Sequence, residues 1–191
     1  MASSNAGKLA EIRALLGDLA AELRPLADFP GVLLPEESDE YEANAIAKAV
    51  AAARASGRLA IGDDSGLEVA GLGGAPGPRS ARFGGPGLTD VGRTGALLEA
   101  MVRLRGEQRR ARFVCVAALA TSDGDIVTAR GECAGHILET PRGQGGFGYD
   151  PVFRVEGGAS TMAELGESEK NRVSHRARAF EALRPALEVR I

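Results

Sequence analysis

The stretch ARFVCVAALAT, residues 111–121, is apolar without a break from Phe113 to Ala120. A run this short and this rich in Val, Phe and Cys reads as a strand. The SDGD turn at 122–125 then leads into IVTARGECAGHIL, so the two segments form a β-hairpin. Helical and strand-like segments mix around it. In KLAEIRALLGDLA, residues 8–20, Leu9, Ile12, Leu15, Leu16 and Leu19 recur at helical spacing. Residues 39–56 are alanine-rich and helical, with Gly57 placed to end them. RLAIG at 58–62 is a strand candidate, and 71–87 is turn chemistry throughout. Thr89 caps a helix through Leu97, Leu98, Met101 and Leu104. A glycine-rich loop, PRGQGGFGYDP, spans 141–151, and a last helix lies near 168–187, with Pro185 marking an end or kink. No strict βαβ repeat, internal repeat or linker is visible. The expectation is one α/β domain over 1–191 with a mixed sheet.

Composition narrows the function classes. A net charge of −3 and no basic run argue against a general nucleic-acid-binding surface. Cys115 and Cys133 fit no metal-ligand spacing and imply no disulfide framework. No segment approaches the roughly 18 apolar residues of a membrane span, and MASSNAGKLAEI lacks the apolar core of a signal peptide. A cytoplasmic protein is expected.

Four segments carry candidate chemistry. SSNAGK places Lys8 at the start of a helix, where free N–H groups and the dipole suit phosphate; plain capping by Ser4 or Asn5 explains the same residues equally well. Asp63-Asp64 stand side by side at a strand end. Either both are solvated in a turn, or a hard cation such as Mg²⁺ relieves their repulsion and one acts as a general base. If the strand persists, the two point to opposite faces. FGYDP at 147–151 either stacks and hydrogen-bonds a base or anchors the core through Phe147 and Tyr149. In ESEKNRVSHRARA, 167–179, Lys170 and Ser174 share a helix face, with His175 and Arg176 beside them; the cluster is a solvated basic surface or a set of donors for one acceptor-rich ligand.

Taken in order, SSNAGK, NAIAKA, DDSGLEV, GAPGPRSARF, PRGQGGFGYDP and TMAEL…EKNRVSHR resemble, block by block, the inosine triphosphate pyrophosphatase family, the RdgB-like dITP/XTP pyrophosphatases. The resemblance runs from about Ser3 to Ala179. It implies an elongated mixed sheet with flanking helices and two lobes around a central active-site cleft. It also implies a Mg²⁺-dependent homodimer that converts ITP, dITP and XTP to monophosphate and pyrophosphate. Carried onto this chain, it assigns Ser3, Asn5 and Lys8 to phosphates, with Lys48 a further candidate, and Ser4, Ala6, Gly7 and Ser65 to substrate contacts. Asp64 becomes metal ligand and base, with Asp63 its acidic companion. Phe147, Gly148, Tyr149, Asp150, Lys170, His175 and Arg176 are assigned to the base pocket, and Ser174 to a substrate contact beside it.

Three positions depart from the family pattern. The glutamate that usually precedes the asparagine of NAIAKA, and helps bind the metal, is Ala43 here; Glu40, one turn earlier, is the expected substitute, ahead of Glu36 and Asp39. Only Met1 and Ala2 precede Ser3 where the family has an apolar strand, so a late start or a lost strand would alter how Ser3 to Lys8 are anchored. The tyrosine of the GAPG block is Arg79, which either faces solvent or adds charge at the phosphate end. The alternatives to the main reading are a pyrophosphatase of shifted base preference and a nucleotide-binding protein weakened by Ala43.

Overall fold

The computed structural model describes residues 1–3 and 5–191; Ser4 lies outside the described residues. Five strands, β1 (Ala60–Val69), β2 (Pro76–Gly77), β3 (Arg110–Ala120), β4 (Ile126–Ile137) and β5 (Phe153–Val155), form one sheet in the order β2-β1-β3-β4-β5. The outer ladders, β1–β2 and β4–β5, are antiparallel. The helices are α1 (Ala6–Leu16), α2 (Tyr41–Ser56), α3 (Asp90–Ala100), α4 (Glu167–Val173) and α5 (His175–Glu188). The α/β class and the β3–β4 hairpin follow the sequence expectation.

Three elements differ from it. The strand expected at 58–62 instead continues through Asp63, Asp64, Ser65 and Gly66 to Val69, so the acidic pair sits in a strand and not in a turn. The helix expected near 168–187 is broken at Ser174. Its hydroxyl caps α5 by accepting from the Ala177 N–H at 3.1 Å, and a side chain committed to its own helix start ends the preceding helix. Pro185 ends nothing: α5 runs on to Glu188, because a proline in the last turn removes a single N–H near the helix end.

The chain divides into two compact units. The first comprises Met1–Asp64, Cys115–Gly131 and Ser174–Ile191. Its core gathers Ile12 and Leu16 of α1, Ile61, Cys115, Ala117 and Leu119 of the strands, and Ala179, Phe180, Leu183 and Leu187 of α5. Val116, Ala118 and Ala120 are buried too, so this part of β3 is covered on both faces. Two glycines set how closely helices lie on strands. A Cβ on Gly62 would sit 2.2 Å from the Ala45 carbonyl oxygen of α2, and one on Gly131 2.2 Å from the His175 carbonyl oxygen of α5. The alanines of α2 serve the same close approach, with Ala45, Ala49, Ala52 and Ala53 all buried. Ala2 is buried and donates its N–H to the Ile61 carbonyl at 2.7 Å, which ties the segment before Ser3 to β1.

The second unit comprises Ser65–Val114 and Glu132–Val173. Its core includes Leu67, Val69, Leu97, Met101, Phe113, Ile137, Val152, Phe153 and Met162, with the Phe113 and Phe153 rings 4.4 Å apart. Arg109 is buried there and donates to the carbonyls of Ile137 (2.8 Å), Leu138 (2.7 Å) and Met101 (3.2 Å), so each of its three guanidinium nitrogens has an acceptor.

Candidate active site

Because β1 continues through the acidic pair, Asp63 and Asp64 leave the strand in opposite directions, and each meets a different set of cations. Asp63 is 1 % exposed. Its Oδ1 lies 2.5 Å from the Lys8 ammonium, while Oδ2 accepts from Cys115 Sγ at 3.2 Å and from Arg176 Nε at 3.3 Å. Arg176, also 1 % exposed, completes the group by donating to Glu11. The four charges sum to zero, which is what makes this depth tolerable. Burial alone would raise the Asp63 carboxyl, but the Lys8 and Arg176 charges outweigh it and hold the group well below the usual carboxylate range. The Cys115 thiol moves the other way, pushed up by burial and by Asp63 beside it.

Lys8 reaches this position from the first turn of α1. Asn5 caps that helix, its side-chain oxygen accepting from the Lys8 N–H at 3.0 Å, and the Asn5 N–H donates to Ser3 Oγ at 3.1 Å. Ala6 and Gly7 are the first residues of the helix. Capping is thus the observed role of Asn5, while the Lys8 side chain is free of the cap and turned to the buried carboxylate.

Asp64 faces α2. Its Oδ2 accepts from Asn44 Nδ2 at 2.9 Å and its Oδ1 from the Lys48 ammonium at 2.8 Å. Asn44 and Lys48 are one turn apart on the buried face of α2. Lys48 also pairs with Glu37 at 2.5 Å. The loop that carries Glu37 is fixed by Asn44, whose side-chain oxygen accepts from the Ser38 N–H (2.6 Å) and Oγ (2.9 Å) and whose amide donates to the Ser38 carbonyl (2.9 Å). Burial raises the Asp64 carboxyl, and Lys48, shared with Glu37, does not fully offset it. Burial by itself would lower the Lys48 ammonium, yet its two carboxylate partners raise it.

The second unit holds the remaining candidates in another cluster. Asp150 Oδ2 accepts from the Lys170 ammonium at 2.5 Å and from the Phe147 N–H at 3.0 Å, and that ammonium lies 5.2 Å from the centre of the Phe147 ring. Gly146 has φ +71°, and a Cβ there would fall 2.0 Å from the Asp150 carboxylate, so only glycine allows the loop to fold onto this pair. The Gly148 N–H donates to Asp90 Oδ2 at 2.8 Å, and its carbonyl accepts from Thr94 Oγ1 at 3.2 Å. Tyr149 is buried, its hydroxyl donating to the Ser80 carbonyl at 2.8 Å, and burial pushes its ionisation up. Of the two readings of FGYDP, Tyr149 therefore fits the core anchor, whereas Phe147 is part-exposed beside a cation.

The first unit thus brings Lys8, Lys48, Asp63, Asp64 and Arg176 together, and the second brings Phe147, Gly148 and Asp150 to Lys170. Ser65 is part-buried on β1. His175 opens α5 and is buried; Ser174 caps that helix. Arg176 is not a solvated surface residue, since its guanidinium is enclosed by Asp63 and Glu11. Glu40 occupies the N-cap position of α2, exposed, with no side-chain capping bond. Arg79 is exposed. Glu37, Glu11 and Asn44 were not anticipated. Asn44 stands out only as an amide one turn before Lys48, and Glu37 only as one acid in the run PEESDE.

No group of three or more His, Cys, Asp or Glu converges as a metal cage among the described residues. Asp64 and Glu37 offer hard carboxylate oxygens, the donor type that suits Mg²⁺ when substrate phosphates complete the shell. The residues fit such an ion.

Comparison with known proteins places the chain among relatives that match nearly its whole length. The Ham1 family matches residues 1–186. A dITP/XTP pyrophosphatase of Thermus thermophilus is 49 % identical over 183 residues, covering 96 % of this chain and 88 % of that protein. One from Deinococcus deserti is 50 % identical over 188 residues, covering 97 % and 87 %. Among solved structures, a HAM1 protein from Coxiella burnetii superposes with a TM-score of 0.87 at 41 % identity, covering 97 % of this chain and 95 % of that one. A nucleoside-triphosphatase / dITP/XTP pyrophosphatase from Mycobacterium abscessus gives 0.76 at 42 % identity, covering 97 % and 96 %. With a family match over nearly its whole length and relatives this similar, the chain belongs to the Ham1 family.

Proposed function

We propose that the chain is a dITP/XTP pyrophosphatase, a hydrolase that cleaves deaminated purine nucleoside triphosphates to the monophosphate and pyrophosphate and so clears them from the nucleotide pool. The observation that carries the site assignment is the division of labour on β1: Asp63 is enclosed by Lys8, Arg176 and Cys115, while Asp64 faces Asn44, Lys48 and Glu37.

A divalent cation, for which we propose Mg²⁺, neutralises charge at the reacting phosphorus when bound with the triphosphate. Asp64 would hold it and orient or deprotonate the attacking water. Lys48 and Lys8 supply positive charge for the phosphates, and Asp63 fixes the Lys8 ammonium. In the second unit, Lys170 is assigned to the base. Its ammonium donates only, which suits the O6 acceptor of hypoxanthine and xanthine and opposes the amino donor of adenine. A buried donor left facing a donor can reject an analogue by roughly 10⁴-fold. We further propose that the enzyme is cytoplasmic, and that it acts as a homodimer, as the family resemblance implies.

The test is pyrophosphate release from dITP, XTP and ATP, with Mg²⁺ and with EDTA. Release from dITP and XTP but not ATP, abolished by EDTA, is the expected result. Equal turnover of ATP would overturn the base assignment, and IMP binding without any turnover would replace the enzyme with a nucleotide-binding protein.

A further inference from the structure

We propose that Asp90 and Thr94, one turn apart on α3, are positioning residues for base binding: they grip both backbone polar atoms of Gly148 and so set where Phe147 and the Asp150–Lys170 pair stand. This inference rests on the reading of Phe147 and Lys170 as groups that face the base. The Gly148 N–H donates to Asp90 Oδ2 at 2.8 Å, and the Gly148 carbonyl accepts from Thr94 Oγ1 at 3.2 Å. Residues four apart on a helix share a face, so one side of α3 offers an acceptor and a donor to a single residue more than 50 positions further along the chain. Among the described residues, Gly148 is the one hydrogen-bond partner of the Asp90 carboxylate.

Packing does not hold Gly148 in place. It takes the left-handed conformation, φ +61°, and among the described residues no atom beyond its chain neighbours comes within 4 Å of the place a Cβ would take. The residues around it carry the groups assigned to the base. Phe147 closes a turn with Asp150: its N–H donates to Asp150 Oδ2 at 3.0 Å, and its carbonyl accepts from the Asp150 N–H at 3.3 Å. The Lys170 ammonium sits 2.5 Å from that same Oδ2 and 5.2 Å from the centre of the Phe147 ring. On the far side, the Tyr149 hydroxyl donates to the Ser80 carbonyl. Gly148 is therefore the unpacked corner of the turn, and the two bonds from α3 fix it. A ring that stacks and an ammonium that donates select a base only while both stay in register.

The test is IMP binding by calorimetry, together with pyrophosphate release from dITP, on the whole protein with Mg²⁺. D90A and T94V should each weaken IMP binding and raise KM for dITP by about fivefold or more, with kcat within about twofold of the wild type. D90N keeps an acceptor oxygen and T94S keeps the hydroxyl, so both should recover most of the loss. T89A removes the cap of α3, whose Oγ1 accepts from the Gly92 N–H at 3.2 Å, without touching Gly148. It should lower the thermal midpoint and leave IMP binding and KM unchanged. Wild-type IMP binding in D90A and T94V overturns the proposal. So does a T89A variant that loses as much as they do, or a D90N as weak as D90A, which would assign the effect to the charge at the helix start. F147A tests the reading beneath it. If F147A also binds IMP as the wild type does, the base assignment itself falls; if F147A alone weakens binding, that assignment stands and the role of α3 fails.

Discussion

Asp63 and Asp64 are the same residue type one peptide bond apart, yet their surroundings move their proton affinities in opposite directions. Burial pushes both up. At Asp63 two full positive charges, Lys8 and Arg176, reverse it, whereas at Asp64 the one lysine is shared with a second acid. Asp63 is thus an anion held between two cations, and its removal leaves part-buried Lys8 and buried Arg176 without their common partner. D63N should cost about 3–5 kcal/mol, the penalty typical of breaking a buried ion pair from one side. The sign of its pH dependence is fixed by the depressed carboxyl. The stabilising contribution of Asp63 is complete above its ordinary value of 3.8 and is lost as pH falls through the folded-state value. Urea unfolding of both proteins in EDTA should therefore show a gap that is wide from pH 5 to 7 and narrows only in strong acid; a gap independent of pH would contradict the ion-pair account. The acidic pair is visible in the sequence, but which member is structural is not. Strand parity allots them to opposite sides, and only the helices packed on each side decide which side carries two cations.

At the scale of elements, the sequence is most legible where one local rule decides the outcome. Gly57 ends α2 in the left-handed conformation, Thr89 caps α3, and the SDGD turn closes the hairpin. It is least legible where a distant contact decides. β1 runs on through two aspartates because cations from α1, α2 and α5 neutralise them, and those partners lie 16 to 113 residues away in the chain. Nothing local marks Ser174 as a cap inside an apparent helix, and Glu37 depends on a reversal fixed by Asn44. Gly62 and Gly131 carry no signal of their own in the sequence, yet in the fold they are the places where α2 and α5 lie closest to the sheet. G62A and G131A each force a methyl group into backbone atoms that cannot turn aside. Each should lower stability by about 1–3 kcal/mol or more in denaturant titration. Neutral behaviour of either variant would mean that its helix can shift away without cost.

In each unit an apolar core carries the stability, and among the described residues no group of three or more His, Cys, Asp or Glu converges to hold a metal. The cation belongs to the chemistry and not to the fold. EDTA should therefore abolish pyrophosphate release while leaving the thermal midpoint within about 2 °C of that in Mg²⁺, an interval that corresponds to a small fraction of a kcal/mol to about 1 kcal/mol in a chain of this size. A larger fall would assign the ion a structural role.

The alternation of β1 has a consequence for which genetic changes the enzyme can survive. Substitutions along Ala60–Gly62 change packing but leave each aspartate on its own side of the sheet. Loss or gain of a single residue there would turn each aspartate to the opposite side of the sheet, taking Asp64 away from Lys48 and Asp63 away from Arg176. The segment is thus open to exchange of side chains at Ala60 and Ile61, held to glycine at Gly62, and closed to drift in length.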